Sequence, residues 1–288
     1  MSMDAERADV SVIMRTTGRS PAMLARALAS VRAQTFPPVA LVLVGDGLTG
    51  PDLFDLAERC GGAGPAMLEA VALPRAAGRA GAANAGGRRA RTEWVAFLDE
   101  DDTWAPVCLE ELLAYAAPLA GAPDFGAAVC RTEAVYERMG PDGPMELERE
   151  PFNPWLEKID GRALLRGNPF TIHAALWHRR VAGRLGGFRE DLAVLEDWEF
   201  NARAARDFRL IVKPRVLAFY HLRPPAGEAA NSAEVEHDRT ARALRAEWAG
   251  RGWLTLRTRW AEATGFGAAR RRWQRWRARA RWRGRLAV

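Results

Sequence analysis

An unbroken run of four acidic residues, Asp99 to Asp102, follows the apolar segment WVAFL and precedes Thr103, a tryptophan and a proline. Neighbouring carboxylates repel one another, so this run needs a positive partner. Carboxylate oxygens bind hard divalent cations, which keep coordination positions open for phosphate oxygens. The run therefore predicts a site for a cation and a phosphate. A solvated acidic loop, or a cap at Asp102 or Thr103 for the next helix, is the alternative interpretation of these residues alone.

Three further segments carry groups suited to chemistry. Asp46 follows the apolar segment ALVLV, Glu196 and Asp197 open the helical pattern LEDWEFNARAARD, and His221 ends the apolar segment VLAFYHL. A carboxylate within hydrogen-bond reach can take the proton of a hydroxyl nucleophile. A helix N-terminus would lower the pKa of Asp197, and a neighbouring Glu196 would raise it. Helix capping by the two acids, and a place at the edge of the core for His221, are the structural alternatives.

Apolar runs that alternate with helical patterns must position these groups. The predicted strands are VSVIM (10–14), ALVLV (40–44), MLEAVAL (67–73), WVAFL (94–98), FGAAVCRTEAVYE (125–137), TIHAALW (171–177) and VLAFYHL (216–222). Ser20 and Pro21 mark the start of the first helix, and the third helix is predicted at 81–91. Residues 138–160, rich in Pro and Gly, are predicted to form an irregular loop. The alternation predicts an α/β fold with a mainly parallel sheet and a ligand crevice at the carboxyl ends of its strands.

The order of five short motifs resembles that of the inverting glycosyltransferases with the GT-A fold, glycosyltransferase family 2. The motifs are VSVIMRTTGR, LVLVGDG, GRAGAANAGGRRARTEWVAFLDEDDTW, GGF and LEDWEFNARAA, within residues 10–222. The resemblance implies a Rossmann-like GT-A domain over residues 1–228, with a nucleotide-sugar half at about 1–104 and an acceptor half at about 105–228. The sequence departs from the family pattern at Arg15 and Thr17, where a proline and an aromatic residue are usual, and at Gly45, where an acid is usual.

The resemblance also implies a role for each matching position. Asp197 would be the catalytic base, and Asp101 with His221 would hold Mn²⁺ or Mg²⁺. Asp46 would meet the nucleotide base and Asp99 the ribose. The residues implied to bind the donor, a nucleoside diphosphate sugar with a UDP-sugar as first candidate, are Thr16, Thr17, Asp46, Arg79, Asn84, Asp99, Glu196 and Trp198. A tryptophan beside an acidic motif can equally cover the core.

These roles imply an enzyme that moves a sugar from the donor to a hydroxyl of a glycan or lipid-linked acceptor, with inversion and with a metal ion, in bacterial cell-envelope or polysaccharide synthesis. A catalytically inactive protein that binds sugar nucleotides or RNA is the alternative. A nucleotidyltransferase would need a more basic phosphate loop than RTTGR, which offers Arg15 and Arg19.

The C-terminal segment differs from the rest in charge. The chain has a net charge of +6, yet residues 251–288 alone carry +11 and the first 250 residues carry −5. Within residues 269–285, three tryptophans lie among nine arginines, and Trp273 and Trp276 share a helical face. This pattern predicts a helical extension at 229–288 that binds an anionic membrane surface. A disordered basic tail and an RNA-binding tail are the alternatives, and nucleic acid is not the expected partner.

Signals for export and for membrane spanning are missing from the sequence. The start, MSMDAERADV, has no basic region followed by an apolar one, and no eighteen apolar residues run together. The three cysteines, Cys60, Cys108 and Cys130, lack the spacing of a metal site. We therefore expect a cytoplasmic protein with reduced core cysteines, associated peripherally with the inner face of the cell membrane.

Overall fold

The structure, a computed structural model, describes residues 10–38, 40–61, 68–141, 143–223 and 234–253. Its first elements are β1 (Val10–Thr16), α1 (Pro21–Arg32), β2 (Ala40–Asp46), α2 (Gly50–Arg59), β3 (Leu68–Leu73), α3 (Gly78–Arg89) and β4 (Trp94–Asp99). The four strands are parallel neighbours in the order β3-β2-β1-β4. The predicted α/β alternation is confirmed here, and the carboxyl ends of β1, β2 and β4 meet at one edge of the sheet.

Local sequence explains where the helices of this half begin and how closely they pack. α1 begins with Pro21 directly after Ser20, as predicted, although the Ser20 side chain makes no capping hydrogen bond within the described ranges. α3 begins at Gly78, earlier than the predicted Gly81. The buried residues of α3 are all small: Ala80, Gly81, Ala82, Ala83, Ala85 and Gly86. Small side chains let the axis of α3 approach β1 and β2.

Two adjacent glycines of α3 allow a matched test of this close packing. A Cβ atom at Gly86 would lie 2.4 Å from Ile13 Cγ2, whereas one at Gly87 would have no described atom within 4 Å. Gly86→Ala should therefore lower the free energy of unfolding by about 1–3 kcal/mol through overpacking. Gly87→Ala should raise it by up to about 1 kcal/mol, because alanine favours helix. Urea unfolding of the two variants measures both changes, and equal effects would show that α3 does not pack as described.

The second half adds antiparallel strands to the sheet. Its elements are β5 (Thr103–Trp104), α4 (Cys108–Ala116), β6 (Phe125–Gly140), β7 (Gly143–Pro151), α5 (Gly161–Leu164), β8 (Ala175–His178), α6 (Arg180–Leu185), α7 (Glu196–Asp207), β9 (Arg209–Leu222) and α8 (Glu234–Gly250). The described strands form one sheet in the order β3-β2-β1-β4-β8-β6-β9-β5, with β7 paired to β6. β8 runs antiparallel to β4 and β6, and β9 runs parallel to β6. The sheet is thus parallel from β1 to β4 and mixed beyond.

Two local predictions and one alternative interpretation were wrong. The segment 138–160, predicted as an irregular loop, begins with a hairpin of β6 and β7. Met145 and Leu147 on β7 are exposed, so β7 lacks the buried alternation that predicts a strand. In TIHAALW, residues 172–174 form a 3₁₀ turn, and the strand begins only at Ala175. Neither Asp102 nor Thr103 caps the next helix, because Thr103 begins β5 and α4 starts at Cys108.

The helix α8 packs against the domain rather than standing apart from it. Trp248 is fully buried and meets Trp198 of α7 edge to face, with ring centroids 5.2 Å apart. Glu247 accepts a hydrogen bond from Arg189 at 2.7 Å. The tail predicted to bind membranes lies outside the described residues. Within the described ranges, no helix has both the length and the apolar character needed to cross a membrane. The three cysteines are buried as free thiols, as predicted.

Candidate active site

The acidic loop, Asp99–Asp102, lies at the carboxyl end of β4, where the chain leaves the sheet beside β1. Asp99 is the register partner of Arg15 on β1. Arg15 Nε donates to Asp99 Oδ1 at 2.7 Å, and Arg15 Nη2 donates to the same oxygen. Burial would raise the pKa of Asp99, but the charge and hydrogen bonds of Arg15 outweigh it and hold that pKa below its ordinary value. Asp99 is therefore an anion at neutral pH and is paired with a cation.

The second acid of the loop, Glu100, fastens the loop to the segment after β1. Its Oε1 accepts from the backbone N–H of Thr17 at 3.2 Å and from the Thr17 hydroxyl at 3.0 Å. Its Oε2 accepts from the Thr16 hydroxyl. Both threonines line the cleft described below, but their hydroxyls already hold Glu100. In this state the two threonines join the loops of β1 and β4 and are not open donors toward a nucleotide.

The third acid, Asp101, accepts a hydrogen bond from Arg223 at the end of β9. The same guanidinium donates to Glu137 of β6, a side chain only 1% exposed. Glu137 also accepts from Arg26 of α1 at 2.6 Å. Burial opposes ionisation of Glu137, but the hydrogen bonds from His221 and Arg26 prevail and lower the pKa of Glu137 to about 2. Sequence spacing did not indicate this network of two arginines around one buried acid.

The charge around Asp101 favours a bound cation. Burial, and next the charge of Asp102, raise the pKa of Asp101 to about 7, with Arg223 acting in the opposite direction. A carboxyl group whose anion is this unfavourable gains from an added positive charge. Asp101 also lines the cleft, so its oxygens can reach a ligand there. A Mg²⁺-type ion is commonly held by one or two carboxylates together with substrate phosphates, and Asp101 fits that arrangement.

His221, predicted as a metal ligand, is hydrogen-bonded to protein groups through both ring nitrogens. Its Nδ1 lies 3.0 Å from Glu137 Oε2, and its Nε2 lies 2.9 Å from the Thr103 hydroxyl. Both ring nitrogens are therefore engaged by the protein, and the ring is buried. Among the residues that the structure describes, no three His, Cys, Asp or Glu side chains are placed to hold a metal together. The role of His221 as a metal ligand stays a prediction, and in this structure its ring is bonded to Glu137 and Thr103.

The fourth acid, Asp102, is buried and ties the acidic loop to β9 and to His173. Its Oδ1 accepts from the His221 backbone N–H, and its Oδ2 lies 2.9 Å from His173 Nδ1. Burial would lower the pKa of His173, but the charge of Asp102 outweighs it and raises that pKa above its ordinary value. Each acid of the loop thus contacts a different part of the fold. Repulsion within the run is relieved by arginine and histidine partners.

A cleft opens beside the acidic loop at the carboxyl edge of the sheet. Its lining includes Asp99 and Asp101 on one side, Asp46 at the end of β2, and the basic residues Arg15, Arg19 and Arg79. Asp46 also accepts from the Ala77 backbone N–H at 2.6 Å, which holds the start of α3. The predicted donor residues Asp46, Arg79 and Asp99 therefore share one cleft with Asp101. Its mixed charge suits a ligand that is itself a polyanion carrying hydroxyl groups.

The acids Glu196 and Asp197 begin α7 on the opposite side of Arg15. Arg15 Nη1 donates to Glu196 Oε1 at 3.1 Å, so one guanidinium joins Asp99 to Glu196. Neither acid is the N-cap residue, which is Leu195. Leu195 has a φ of 65°, a left-handed conformation unfavourable for a non-glycine residue. Such strain is typical of positions where the chain must aim a functional group.

Asp197 has the electrostatics of a general base for neutral pH. Burial, and next the charge of Glu196, raise its pKa to about 7, against the hydrogen bond from the Trp198 N–H. Of the two opposing effects predicted for the pKa of Asp197, the raising effect of Glu196, together with burial, outweighs the lowering effect of the helix N-terminus. The Asn168 amide donates to Asp197 Oδ2 at 2.9 Å. Asn168 lies in the loop after α5, and no spacing motif pointed to it.

Two predicted donor-binding residues have structural contacts instead. Asn84 of α3 donates to the Phe188 carbonyl and accepts from the Phe188 N–H, at 2.9 and 2.8 Å. Asn84 therefore holds the loop after α6 in place and is not among the cleft residues given above. Trp198 is 2% exposed, and its indole N–H donates to the Leu164 carbonyl. The Trp198 ring meets Trp248 edge to face and lies under the Arg245 guanidinium, so Trp198 packs in the core instead of lining the cleft.

The family model described as Glycosyl transferase family 2 matches residues 11–182. The chain is also 24% identical, over 212 residues that cover 73% of each protein, to the uncharacterized glycosyltransferase YwdF of Bacillus subtilis. The chain therefore belongs to glycosyltransferase family 2, as its motif order suggested, and is a glycosyltransferase.

Two solved structures are similar in fold. TarS 1–349 of S. aureus, in complex with UDP-GlcNAc, has a TM-score of 0.61 at 18% identity, covering 85% of this chain and 72% of that one. The mannosyltransferase PcManGT of Pyrobaculum calidifontis, in complex with GDP-Man and Mn²⁺, has a TM-score of 0.55 at 22% identity, covering 86% and 65%. At these identities the likeness concerns the fold, which is the expected GT-A fold.

Proposed function

We propose that this glycosyltransferase transfers a hexose, with inversion, from a nucleoside diphosphate sugar to a hydroxyl of a glycan or lipid-linked acceptor. The observation that carries the proposal is the bridge made by Arg15, which contacts Asp99 in the cleft and Glu196 beside Asp197. Arg15 thus holds Glu196, and with it the neighbouring proton acceptor Asp197, beside a cleft that suits a polyanion. A UDP-sugar is the first candidate donor, and bacterial cell-envelope or polysaccharide synthesis is the proposed setting.

Each polar side chain of the cleft takes one part of the donor in this proposal. Asp99 binds the ribose, Asp46 meets the base, and Arg79 lies toward the diphosphate and the sugar. Asp197 accepts the proton of the acceptor hydroxyl, which makes the oxygen nucleophilic. A single displacement needs that base on the face of the sugar opposite the leaving group, so the product has the inverted configuration.

A divalent cation, Mn²⁺ or Mg²⁺, completes the proposed donor site. Asp101 would hold it, together with oxygens of the diphosphate. When bound, such an ion neutralises the charge that develops on the leaving diphosphate. The Mn²⁺ in the PcManGT complex and the raised pKa of Asp101 support this part of the proposal. Arg223 must then share Asp101 with the ion or turn fully to Glu137.

Acceptor-dependent release of nucleoside diphosphate tests the proposed reaction. The protein, incubated with UDP-sugars or GDP-mannose and Mn²⁺, should release nucleotide faster when hydroxyl acceptors such as short glycans or polyprenyl phosphate sugars are added. Binding of a donor without release under every acceptor condition would instead favour the inactive binding protein. Product configuration, read by the anomeric proton signal, tests inversion in the same samples.

The basic C-terminal tail supplies the proposed membrane contact. Residues 268–288 carry nine arginines and three tryptophans, a composition that favours the headgroup region of anionic bilayers. We expect the protein to be cytoplasmic and peripheral on the inner face of the cell membrane. A variant lacking residues 268–288 should no longer sediment with vesicles containing phosphatidylglycerol and should still bind nucleotide. Equal sedimentation of the full chain and the shortened one would contradict this role.

A further inference from the structure

Two hydrogen bonds fix the carboxylate of Asp197 in a single orientation. Its Oδ1 accepts from the Trp198 backbone N–H at 2.7 Å, and its Oδ2 accepts from the Asn168 side chain at 2.9 Å. A carboxylate has about two lone pairs on each oxygen, so each oxygen keeps one acceptor direction for another hydroxyl. The donor of the first bond is a backbone N–H, so that bond does not depend on which side chain stands at position 198. The bond from Asn168 is a contribution of a particular side chain.

Asn168 is itself oriented by a second asparagine. Asn201, one turn further along α7 and fully buried, donates to Asn168 Oδ1 at 3.0 Å. The chemistry fixes the direction of both amides. An ionised Asp197 can only accept, so Asn168 must present its NH₂ group, which leaves its carbonyl oxygen for the NH₂ group of Asn201. Asn201 Oδ1 finds no hydrogen-bond partner among the described residues, so this buried amide is retained at a cost.

We propose that Asn168 is a positioning residue for the catalytic base: it holds Asp197 Oδ2 and stabilises the ionised form, and Asn201 aligns it. This inference rests on the proposed function, because only a transfer reaction gives Asp197 the task of a base. The other charges that act on Asp197 are Glu196, which disfavours its ionisation, and Arg15 and Arg79, which favour it. Asn168 is uncharged and acts on Asp197 through a hydrogen bond.

A purely structural role for Asn168 makes a different prediction. In that case the amide would only tie the loop after α5 to α7, and its removal would affect stability but not the titration of Asp197. The chain offers a matched control for that role. Asn153 is fully buried and donates to the carbonyl of Pro169, the residue next to Asn168. Asn153 therefore anchors the same loop, but its hydrogen bonds go to Pro169 and to the Thr132 N–H rather than to Asp197.

Carboxyl ¹³C NMR of the full chain, with the Asp197 signal assigned by its loss in Asp197→Asn, tests the proposal without an activity assay. In Asn168→Ala the titration midpoint of Asp197 should rise by about one pH unit, because a hydrogen bond to the charged form is lost. Asn168→Ser, which keeps a short donor, should show a smaller rise. Asn153→Ala should leave the midpoint unchanged.

An unchanged midpoint in Asn168→Ala and Asn168→Ser would overturn the proposal, and so would an equal rise in Asn153→Ala. Kinetics add a second readout: Asn168→Ala should lower kcat at pH 7 by about fivefold, because less Asp197 is ionised, and leave the donor KM within about twofold. Failure of the proposed function would appear differently, as no acceptor-dependent nucleotide release by the wild type, whatever the midpoint of Asp197.

Discussion

Asp197→Asn is expected to reduce kcat for sugar transfer by about 10²–10⁴-fold, the range typical for loss of a general base. Asparagine has the same shape, and its oxygen can accept from the Trp198 N–H, but the amide cannot take a proton from the acceptor hydroxyl. Donor affinity should stay within about threefold, because the Asp197 contacts lie outside the donor cleft. Initial rates of nucleotide release and calorimetric titration with the donor measure the two quantities.

The pH dependence of the wild type should reflect the same carboxylate. The pKa of Asp197 is raised from 3.8 to about 7, so the base is protonated below that pH and activity should fall about tenfold per pH unit there. Stability changes in the opposite direction with pH. Between about pH 4 and 7 the carboxyl group ionises in the unfolded state but not in the folded state, so the free energy of unfolding falls as the pH rises. Asp197→Asn should therefore unfold at the same or a higher temperature at pH 8.

An exposed carboxylate gives the control for this prediction. Asp55 of α2, with a side chain 67% exposed, pairs only with Arg59 among the ion pairs of the described chain. Asp55→Asn should leave kcat, donor affinity and the pH profile unchanged. A kcat for Asp197→Asn within threefold of the wild type would show that another group acts as the base.

Arg15→Met is expected to lower the free energy of unfolding by about 3 kcal/mol, the lower end of the range for breaking a buried ion pair. The Arg15 side chain is 11% exposed and bridges Asp99 and Glu196. Glu196 is 3% exposed and would lose its cation without access to water, whereas Asp99, at 32%, could be partly rehydrated. The difference in burial explains why we expect the lower end of that range.

The effect of Arg15→Met should depend on pH. Arg15 holds the pKa of Asp99 below its ordinary value, so its stabilisation is present above the unfolded pKa and is lost as the pH falls through the folded one. The gap between wild type and variant should therefore be full at pH 7 and narrow below about pH 4. Urea unfolding at pH 7 and at pH 3.5 measures it.

Arg19→Met is the matched control for this substitution. Arg19 lies in the same segment after β1 and is exposed, with a hydrogen bond to the Thr17 hydroxyl at 3.0 Å. Loss of an exposed contact of this kind should change stability by no more than about 0.5 kcal/mol. If Arg15→Met were as mild as Arg19→Met, the bridge between Asp99 and Glu196 would not be a stabilising feature of the fold.

The parallel half of the fold could be predicted from the sequence, because each of its strands is marked by an apolar run that is contiguous in the chain. Runs such as 10–14 and 40–44 are mainly apolar and are buried along their length, as expected for strands covered on both faces of the sheet. The carboxyl ends of such strands lie at one edge of the sheet, so the sequence predicts Asp46 and Asp99 at one cleft. The hairpin of β6 and β7 was missed because its outer strand is stabilised by pairing and not by burial.

The partners of the functional acids could not be predicted in the same way. Glu137 and Arg223 are far from the acidic loop in sequence, and the pairing of β6 with β9 brings them to it. Asn168 reaches Asp197 because α5 packs against α7. A motif gives the residue type at a position but not the direction of its side chain. For this reason the motifs predict ligand contacts for His221 and Trp198, whereas in the structure their polar atoms are hydrogen-bonded within the protein.

Calorimetric titration with nucleoside diphosphate sugars tests the claim that the acidic loop binds a cation and a diphosphate. The wild type should bind the donor in the presence of Mn²⁺, and the affinity should fall at least about tenfold when EDTA replaces the metal. Asp101→Asn should bind as weakly with Mn²⁺ as the wild type does with EDTA, and Asp55→Asn should bind like the wild type. Equal donor affinity with and without metal, unchanged in Asp101→Asn, would contradict the claim.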